Sequence, residues 1–595
     1  MKKNAVRILI LFAVVSTIWL YKKNTGKNNQ YKELKVLNLI GRDNIKTLDP
    51  VMCSDVQSGM ELSKIFEGLL QYDYLQLPNK LIPNLAESMP EISSDRLVYT
   101  FKIKKGVLFH NDKCFANGIG KELKASDVVF SFKRLADPKL QAPFYSLVDG
   151  LIRGISEWRA KYANAVEANY SDDIEGIKAL DDYTVQITLT KPCDVFLDFL
   201  AMHHCFIVSE VAVAFYKKDV VNHPIGTGPF ALESFNPQAN KIVYVKNPTF
   251  REQLFPTNIP EGFKELEAYA GKRLPFVDKV IVHIVPEEQP GLLMFNKGDV
   301  DTLDISRSST IVTSIYKDGA LLPEFKVKGI QIFIAPETRT DFFTINCEKE
   351  PFKNGLFLRQ AMSMAFDREQ YNKQFYNGMA SICQSIISPD LEGCNKDYVN
   401  PNNKYDVEGA KTLLAKAGFP NGNGLPEVTI ETRNDTHSRQ ECEFFQKCMK
   451  QIGINIKVVC ITWPELISKL DNKNFQIISV GWSADFPNAD TFLELFYKAS
   501  TKAGVGCNYD NVLYNTIYET SLAMVDSPEK FKLYEKLNEI IGHDVPVICT
   551  LNRPHVIINQ SWIKNFVWSA FTNYDVVKYL DVDLDKKKEL LAKLK

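Results

Sequence analysis

The chain has 595 residues and a mass of 67.6 kDa, room for two to four domains at roughly 150 residues each. Apolar residues make up 45% and charged residues 24%, a globular balance that excludes a disordered or fibrous chain. Lys and Arg total 71 against 72 Asp and Glu, so the basic surplus of a dedicated nucleic-acid binder is missing.

At the N-terminus Lys2, Lys3 and Arg7 precede an apolar run, Ile8 to Tyr21, broken only by Ser16 and Thr17. As a helix its 14 residues rise about 21 Å, short of the ~30 Å hydrocarbon core. That length fits a secretory signal better than a spanning helix. No A-x-A-like cleavage site and no Cys closes the run, so the expectation is export, with residues 1–30 either cleaved or kept as an anchor.

Lys35 to Ile40 reads as a strand, followed by the turn Thr47-Leu48-Asp49-Pro50, and Gly59 to Leu70 reads as a helix. Leu97, Tyr99, Phe101 and Ile103 alternate with Val98, Thr100 and Lys102, the pattern of a half-buried strand. Ser126 is placed to cap a helix through Leu135 that Pro138 ends. The stretch 142–173 reads as a polar, helical insertion, and 184–189 as another strand. Pro224-Ile225-Gly226-Thr227-Gly228-Pro229-Phe230 is a rigid turn; no Lys follows, as a phosphate-binding loop would require.

Strands are predicted at 277–285, 341–346, 427–432, 454–459 and 475–480. Helices are predicted at 358–366, 438–452, 464–470 and 528–541. Asp406 caps a helix with Ala410, Leu413, Leu414 and Ala417 on one face and Gly418 at its stop. Strands alternating with helices from 427 to 480 imply an α/β domain with a largely parallel sheet. The last fifteen residues form a solvated helical tail.

The twelve cysteines show no C-x-x-C spacing, which argues against zinc. In an exported chain some can form disulfides, Cys383 with Cys394 being the most plausible local pair. His203 and His204 precede Cys205, but adjacent positions face different ways and make a poor metal site. No cofactor is expected.

Several stretches in this order resemble the family 5 bacterial solute-binding proteins of the oligopeptide, dipeptide and nickel type, which serve ATP-driven importers. They are Thr47-Leu48-Asp49-Pro50, Phe66-Glu67-Gly68-Leu69, Pro83 to Ser88, Tyr99 to His110, Ser126 to Ser131, Gly226 to Phe230, Arg359-Gln360-Ala361, Ala365 to Arg368, Ala410 to Gly418 and Trp482-Ser483-Ala484-Asp485. No one of these is specific; their colinearity from about Leu37 to Pro546 is. The chain departs from the pattern in the insertions near 142–173 and 251–271, in the missing lipid-attachment Cys, and at Asn111-Asp112.

The resemblance implies an α/β, bilobed periplasmic-binding-protein clamp, class II and of the large peptide-binding type, with an extra α+β subdomain in the N-terminal lobe. Lobe I would comprise 31–75, 196–288 and 542–595, the extra subdomain 76–195 and lobe II 289–541. It implies peptide capture between the lobes and delivery to membrane permease subunits, by a monomer in the periplasm or on the outer face of the cytoplasmic membrane. Asp485 would pair with the peptide α-ammonium. Backbone at Ser54-Asp55-Val56 and Gly481-Trp482-Ser483 would add the peptide as a strand, and Trp482 and Phe486 would wall the pocket.

Taken alone, Asp485 ahead of Phe486-Pro487-Asn488 is also what a turn would carry. Ser479 stands where some oligopeptide binders place an Arg for the peptide carboxylate. Two other functions compete. A metal chelate, haem or an oligosaccharide could occupy the same fold. A secreted hydrolase is disfavoured, since Gly481-Trp482-Ser483-Ala484-Asp485 lacks the closing Gly of a nucleophile elbow and no H-E-x-x-H occurs.

Overall fold

In a computed structural model, residues 33–594 are described except 77–78, 237–238, 307, 318–319, 337, 501–504, 506, 569–570 and 572–575. The leader expected at 1–30 lies outside the described residues. The chain divides into a unit Met1–Lys35, of which 33–35 carry no regular structure, and a unit Val36–Lys595. Everything below concerns the second unit.

The first sheet is built from β1 (Val36–Gly41), β2 (Phe230–Asn236), β3 (Lys241–Lys246) and β4 (Lys279–Ile284) in the order β1-β4-β3-β2. β1 and β4 run parallel and the other pairs antiparallel. Leu37, Phe230, Tyr244 and Val280 leave its buried face and pack on Ile65 of helix α1 (Val56–Ile65). The helix expected over 59–70 thus starts earlier and stops at Ile65, and Leu70–Tyr72 is a strand. The chain must turn extended there. Gly226 and Gly228 press against Ile65, whose carbonyl would lie 2.0 Å from a Cβ at 226, and Gly228 N–H donates to it at 2.8 Å. The glycine turn is therefore a structural clasp on the end of α1.

A four-stranded antiparallel sheet (Glu91–Ile92, Val98–Lys102, Thr184–Thr188, Ile177–Asp181) packs against the helix Ala125–Ala136. Tyr99, Phe101 and Ile103 are buried, as the alternation requires. The helix begins at Ala125 and its N-cap is Lys124, two residues before Ser126: the Asp127 carboxylate accepts from Lys124 N–H at 3.0 Å. The stretch 142–173 is less polar in its packing than in its composition. Phe144, Leu147, Ile152, Ile155, Trp158 and Tyr162 join the same core.

The second large sheet contains β5 (Arg339–Ile345), β6 (Val428–Arg433), β7 (Ile456–Ile461), β8 (Ile477–Ser483) and β9 (Val547–Cys549), in the order β7-β6-β8-β5-β9. The expectation of a largely parallel sheet holds for β7, β6 and β8 only; β5 and β9 run antiparallel to their neighbours. Phe343, Ile345, Ile430, Phe445 and Ile548 form its core with the helix Leu356–Met364. The helix Val407–Lys416 follows its sequence signals: Asp406 accepts from Gly409 N–H at 2.8 Å, Ala410 and Leu414 are buried, and Gly418 has φ of 92°.

Asp49 does more than make a turn. It caps the short helix Pro50–Met52 and receives both terminal nitrogens of Arg134, at 2.9 and 2.6 Å, with both side chains buried. This bidentate pair joins the entry to α1 with the helix Ala125–Ala136. Removing one partner strands a buried charge, at a cost of about 3–5 kcal/mol. Asp49→Ala should lower the urea midpoint accordingly. Asp49→Leu combined with Arg134→Met should recover most of the loss, because no charge is then left unpaired.

Candidate ligand-binding cleft

β8 is paired unequally on its two sides. Along β5 the ladder is complete, from Arg339 opposite Ser483 to Ile345 opposite Ile477. On the other side β6 pairs only through Ile430 with Ile477 and Glu431 with Ile478. Past that point β6 diverges, and residues 479–483 have no strand beside them among the described residues. All five line a cavity of about 380 Å³.

The opposite wall begins at Ser54, Asp55 and Val56, at the N-terminus of α1. Asp55 is the N-cap, accepting from Ser58 N–H at 2.9 Å, and burial raises its pKa. Ser54 Oγ receives Lys46 Nζ at 3.3 Å. Trp482 stacks on Phe144, with ring centroids 6.3 Å apart.

Asp485 sits just beyond the open edge. Its backbone N–H donates to Thr491 Oγ at 3.0 Å, and the Thr491 hydroxyl donates to its carboxylate at 3.3 Å. The structure thus brings Ser54, Asp55, Val56, Gly481, Trp482, Ser483 and Asp485 to one cavity. Phe486, expected in the pocket wall, is instead fully buried with its ring against Phe199, centroids 5.4 Å apart. The backbone reverses there, so adjacent side chains part company.

Sequence reasoning missed the cations of this cavity. Arg433, at the C-terminal end of β6, pairs with Asp43 at 2.8 Å and lies over the Trp463 ring. A crevice at the carboxyl ends of parallel strands is where ligands bind in such sheets, and that was the available signal. Asp341 holds two guanidiniums, Arg339 at 2.7 Å and Arg553 at 3.3 Å. Burial pushes its pKa up, but the two cations outweigh that and hold it below the usual carboxylate range. Arg339 also donates to Ser483 Oγ at 3.2 Å. Its guanidinium lies across β8 because residue 481 has no side chain: a Cβ there would sit 2.3 Å from Arg339 Nη2 and 2.1 Å from Asp341 Oδ1. The contacts of Arg433 with Asp43, Arg339 with Ser483 and Asp341 with Arg553 each span more than a hundred residues of sequence and leave no local trace.

His203 and His204 form a short helical turn. His204 Nε2 bonds to the Cys53 carbonyl at 3.0 Å and its ring stacks on Phe144. Among the described residues no group of three or more His, Cys, Asp or Glu could hold a metal ion. The thiol beside Cys383 is that of Cys549, while Cys394 approaches the Ile387 carbonyl at 3.6 Å.

The sequence model for bacterial extracellular solute-binding proteins, family 5 (Middle), matches residues 80–504. The chain belongs to this family. Among curated relatives of this family 5 protein, the dipeptide-binding protein of Escherichia coli K12 is 26% identical over 480 residues, covering 79% of this chain and 80% of the relative. Heme-binding protein A of Haemophilus influenzae is 26% identical over 514 residues, 84% of each. Among solved structures, an ABC transporter-associated periplasmic binding protein from Helicobacter pylori in complex with the peptide STSA superposes with a TM-score of 0.75 at 25% identity. That match covers 93% of this chain and 99% of the other. The fold is accordingly the bilobed clamp of these proteins. No helix among the described residues is long and apolar enough to cross a membrane.

Behind Asp485 lies a smaller pocket of about 60 Å³, lined in part by Tyr72, Met202 and Phe206. The Tyr72 hydroxyl donates to Asp198 at 2.7 Å. Burial pushes Asp198 up to about 6, the Tyr72 hydrogen bond opposing it. That value exceeds the ~3.9 of an unfolded Asp, so the folded chain holds the proton more tightly. The contribution to stability is therefore full below about pH 4 and lost as pH rises through about 6. Asp198→Asn keeps an acceptor for Tyr72 without ionising. It should melt higher than the wild type at about pH 7.5 and at the same temperature at about pH 4, read by scanning calorimetry.

Proposed function

We propose that this chain is the extracytoplasmic substrate-binding subunit of an ATP-driven importer and captures a short peptide as an added strand on β8, with the peptide α-ammonium on Asp485. The observation that carries this reading is the open edge at 479–483, facing a cavity and ending beside a carboxylate. Main-chain hydrogen bonding is blind to side chains, so such an edge suits ligands of varied sequence. A cavity of about 380 Å³ falls within the range of about 300–1,000 Å³ usual for ligand sites. Arg339 and Arg433 line it and supply cations for the far carboxylate, a role Ser479 does not fill. The dipeptide-binding relative and the peptide-bound Helicobacter pylori structure favour the same ligand class.

Under this reading the protein is exported by its leader, acts as a monomer, hands its ligand to permease subunits and releases it chemically unchanged. We move the limits of lobe II from the 289–541 suggested by sequence to about 339–552, because Thr302–Asp304 and Gln331–Pro336 pair with Pro554–Asn559, whereas Val547–Cys549 pairs with β5 and Leu551–Asn552 with Ser381–Ile382.

In a water-excluded cleft, truncating one partner of a hydrogen-bonded charge pair costs roughly 2–5 kcal/mol, or roughly thirty- to several-thousand-fold in affinity. Asp485→Asn should weaken free peptides by that much and N-acetylated peptides, which carry no ammonium, far less. Isothermal titration of both proteins with both peptide forms measures it. Equal losses for the two forms would leave Asp485 a turn residue. Tight binding of haem with no affinity for peptides would replace the ligand class, and recovery of cleaved peptide would replace binding by hydrolysis.

A further inference from the structure

We propose that Cys347 and Cys507 are the two halves of a disulfide that closes in an oxidising compartment and fixes the floor of the cleft. The two residues lie on segments stitched side by side. Thr344 Oγ donates to the Val505 carbonyl at 2.6 Å, Cys347 N–H to the Cys507 carbonyl at 2.8 Å, and Asn508 Nδ2 to Asn346 Oδ1 at 3.1 Å. Strand residues that exchange both backbone bonds have Cα atoms about 5.5 Å apart; the single bond from Cys347 to Cys507 brings this pair near that spacing, inside the roughly 4.4–6.8 Å that a disulfide spans. Both thiols are unbonded and lie close enough to perturb one another, while the Cys347 thiol donates to the Ile345 carbonyl at 3.5 Å.

A second observation points the same way. Cys507 has φ of 67° and Asn508 φ of 54°. Asn tolerates that left-handed region, but Cys does not favour it. A backbone turned against its preference presents the Cys507 side chain, fully buried, to Cys347. Cys383 makes a poorer case, since its own backbone partner is Thr550 and not Cys549.

The chemistry balances with an external disulfide, either oxidised glutathione or the active-site disulfide of a thiol oxidoreductase. Cys347 is the more accessible thiol, and the neighbouring Cys507 thiol holds its pKa below the ordinary thiol value. Its thiolate attacks the carrier disulfide, forming a mixed disulfide and expelling one carrier thiol. The Cys507 thiolate then attacks Cys347 Sγ and expels the second. The protein loses two protons and two electrons, and the carrier gains both.

The bond would close a loop of 159 intervening residues that contains β6, β7 and β8. In the chain-entropy account, long loops gain most from such a closure. It would also pin Val505, which lines the cavity.

This inference stands apart from the peptide reading and is tested without a ligand. Purified protein is equilibrated with oxidised and reduced glutathione, its free thiols are alkylated in denaturant, and the digest is mapped by mass spectrometry. The expected result is a peptide linking Cys347 to Cys507 that disappears on reduction, together with a melting temperature several degrees above that of the reduced protein. Cys394→Ser should keep the linked peptide; Cys347→Ser should lose it and leave Cys507 alkylated. Alkylation of both Cys347 and Cys507 in the oxidised wild type, or Cys507 linked to another cysteine, overturns the proposal. The wild-type map decides it even where a variant fails to fold.

Discussion

A strand with a neighbouring strand along only one side of residues 479–483, among the described residues, is the constraint around which the rest of the molecule is arranged. Backbone N–H and C=O groups need partners, and at the half-buried residues 479–483 a neighbouring strand supplies them on one side only, among the described residues. The divergence of β6 from β8 creates the gap. Gly481 keeps it passable, since a side chain there would collide with the Arg339–Asp341 pair. Asp485 stands at one end of the gap, and the N-terminus of α1 faces it from the first sheet.

Polar contacts span the cleft between segments far apart in sequence. Arg433 on β6 reaches Asp43 just past β1, Lys46 pairs with Asp471, and Thr436 bonds to Glu287. Arg433 is thus both a cleft-lining cation and a strut between the two sheets. The two ion pairs are partly exposed, so salt weakens them more than it weakens Asp49–Arg134, which is sealed in the interior.

What the sequence made legible was local. Asp406, Ala410, Leu414 and Gly418 announced a helix because capping, periodicity and a left-handed stop act within a dozen residues. Tyr99, Phe101 and Ile103 announced a strand in the same way. The expected helix over 59–70 failed at Phe66 because the clasp that ends it, Gly226 and Gly228, lies 160 residues on. The parallel character of the second sheet was overestimated because β5 and β9 enter it from outside the alternating run. In the site, motif order found Asp485 and the two backbone segments. It could not find the Arg339–Ser483, Arg553–Asp341 or Arg433–Asp43 contacts, whose partners meet only through the fold. Phe486 shows the opposite failure, since proximity in sequence to a cleft residue says nothing about which way the next side chain turns.

A strand edge on a protein surface is an aggregation hazard, because any other exposed strand can pair with it. Here the edge lies on the wall of a cavity of about 380 Å³. A strand belonging to a folded protein is tethered at both ends and cannot enter a space that small. A short chain with free ends can. Under the proposed reading, confinement performs a selection that the hydrogen bonds themselves cannot: it keeps an adhesive backbone edge from folded strands while leaving it open to a short chain with free ends.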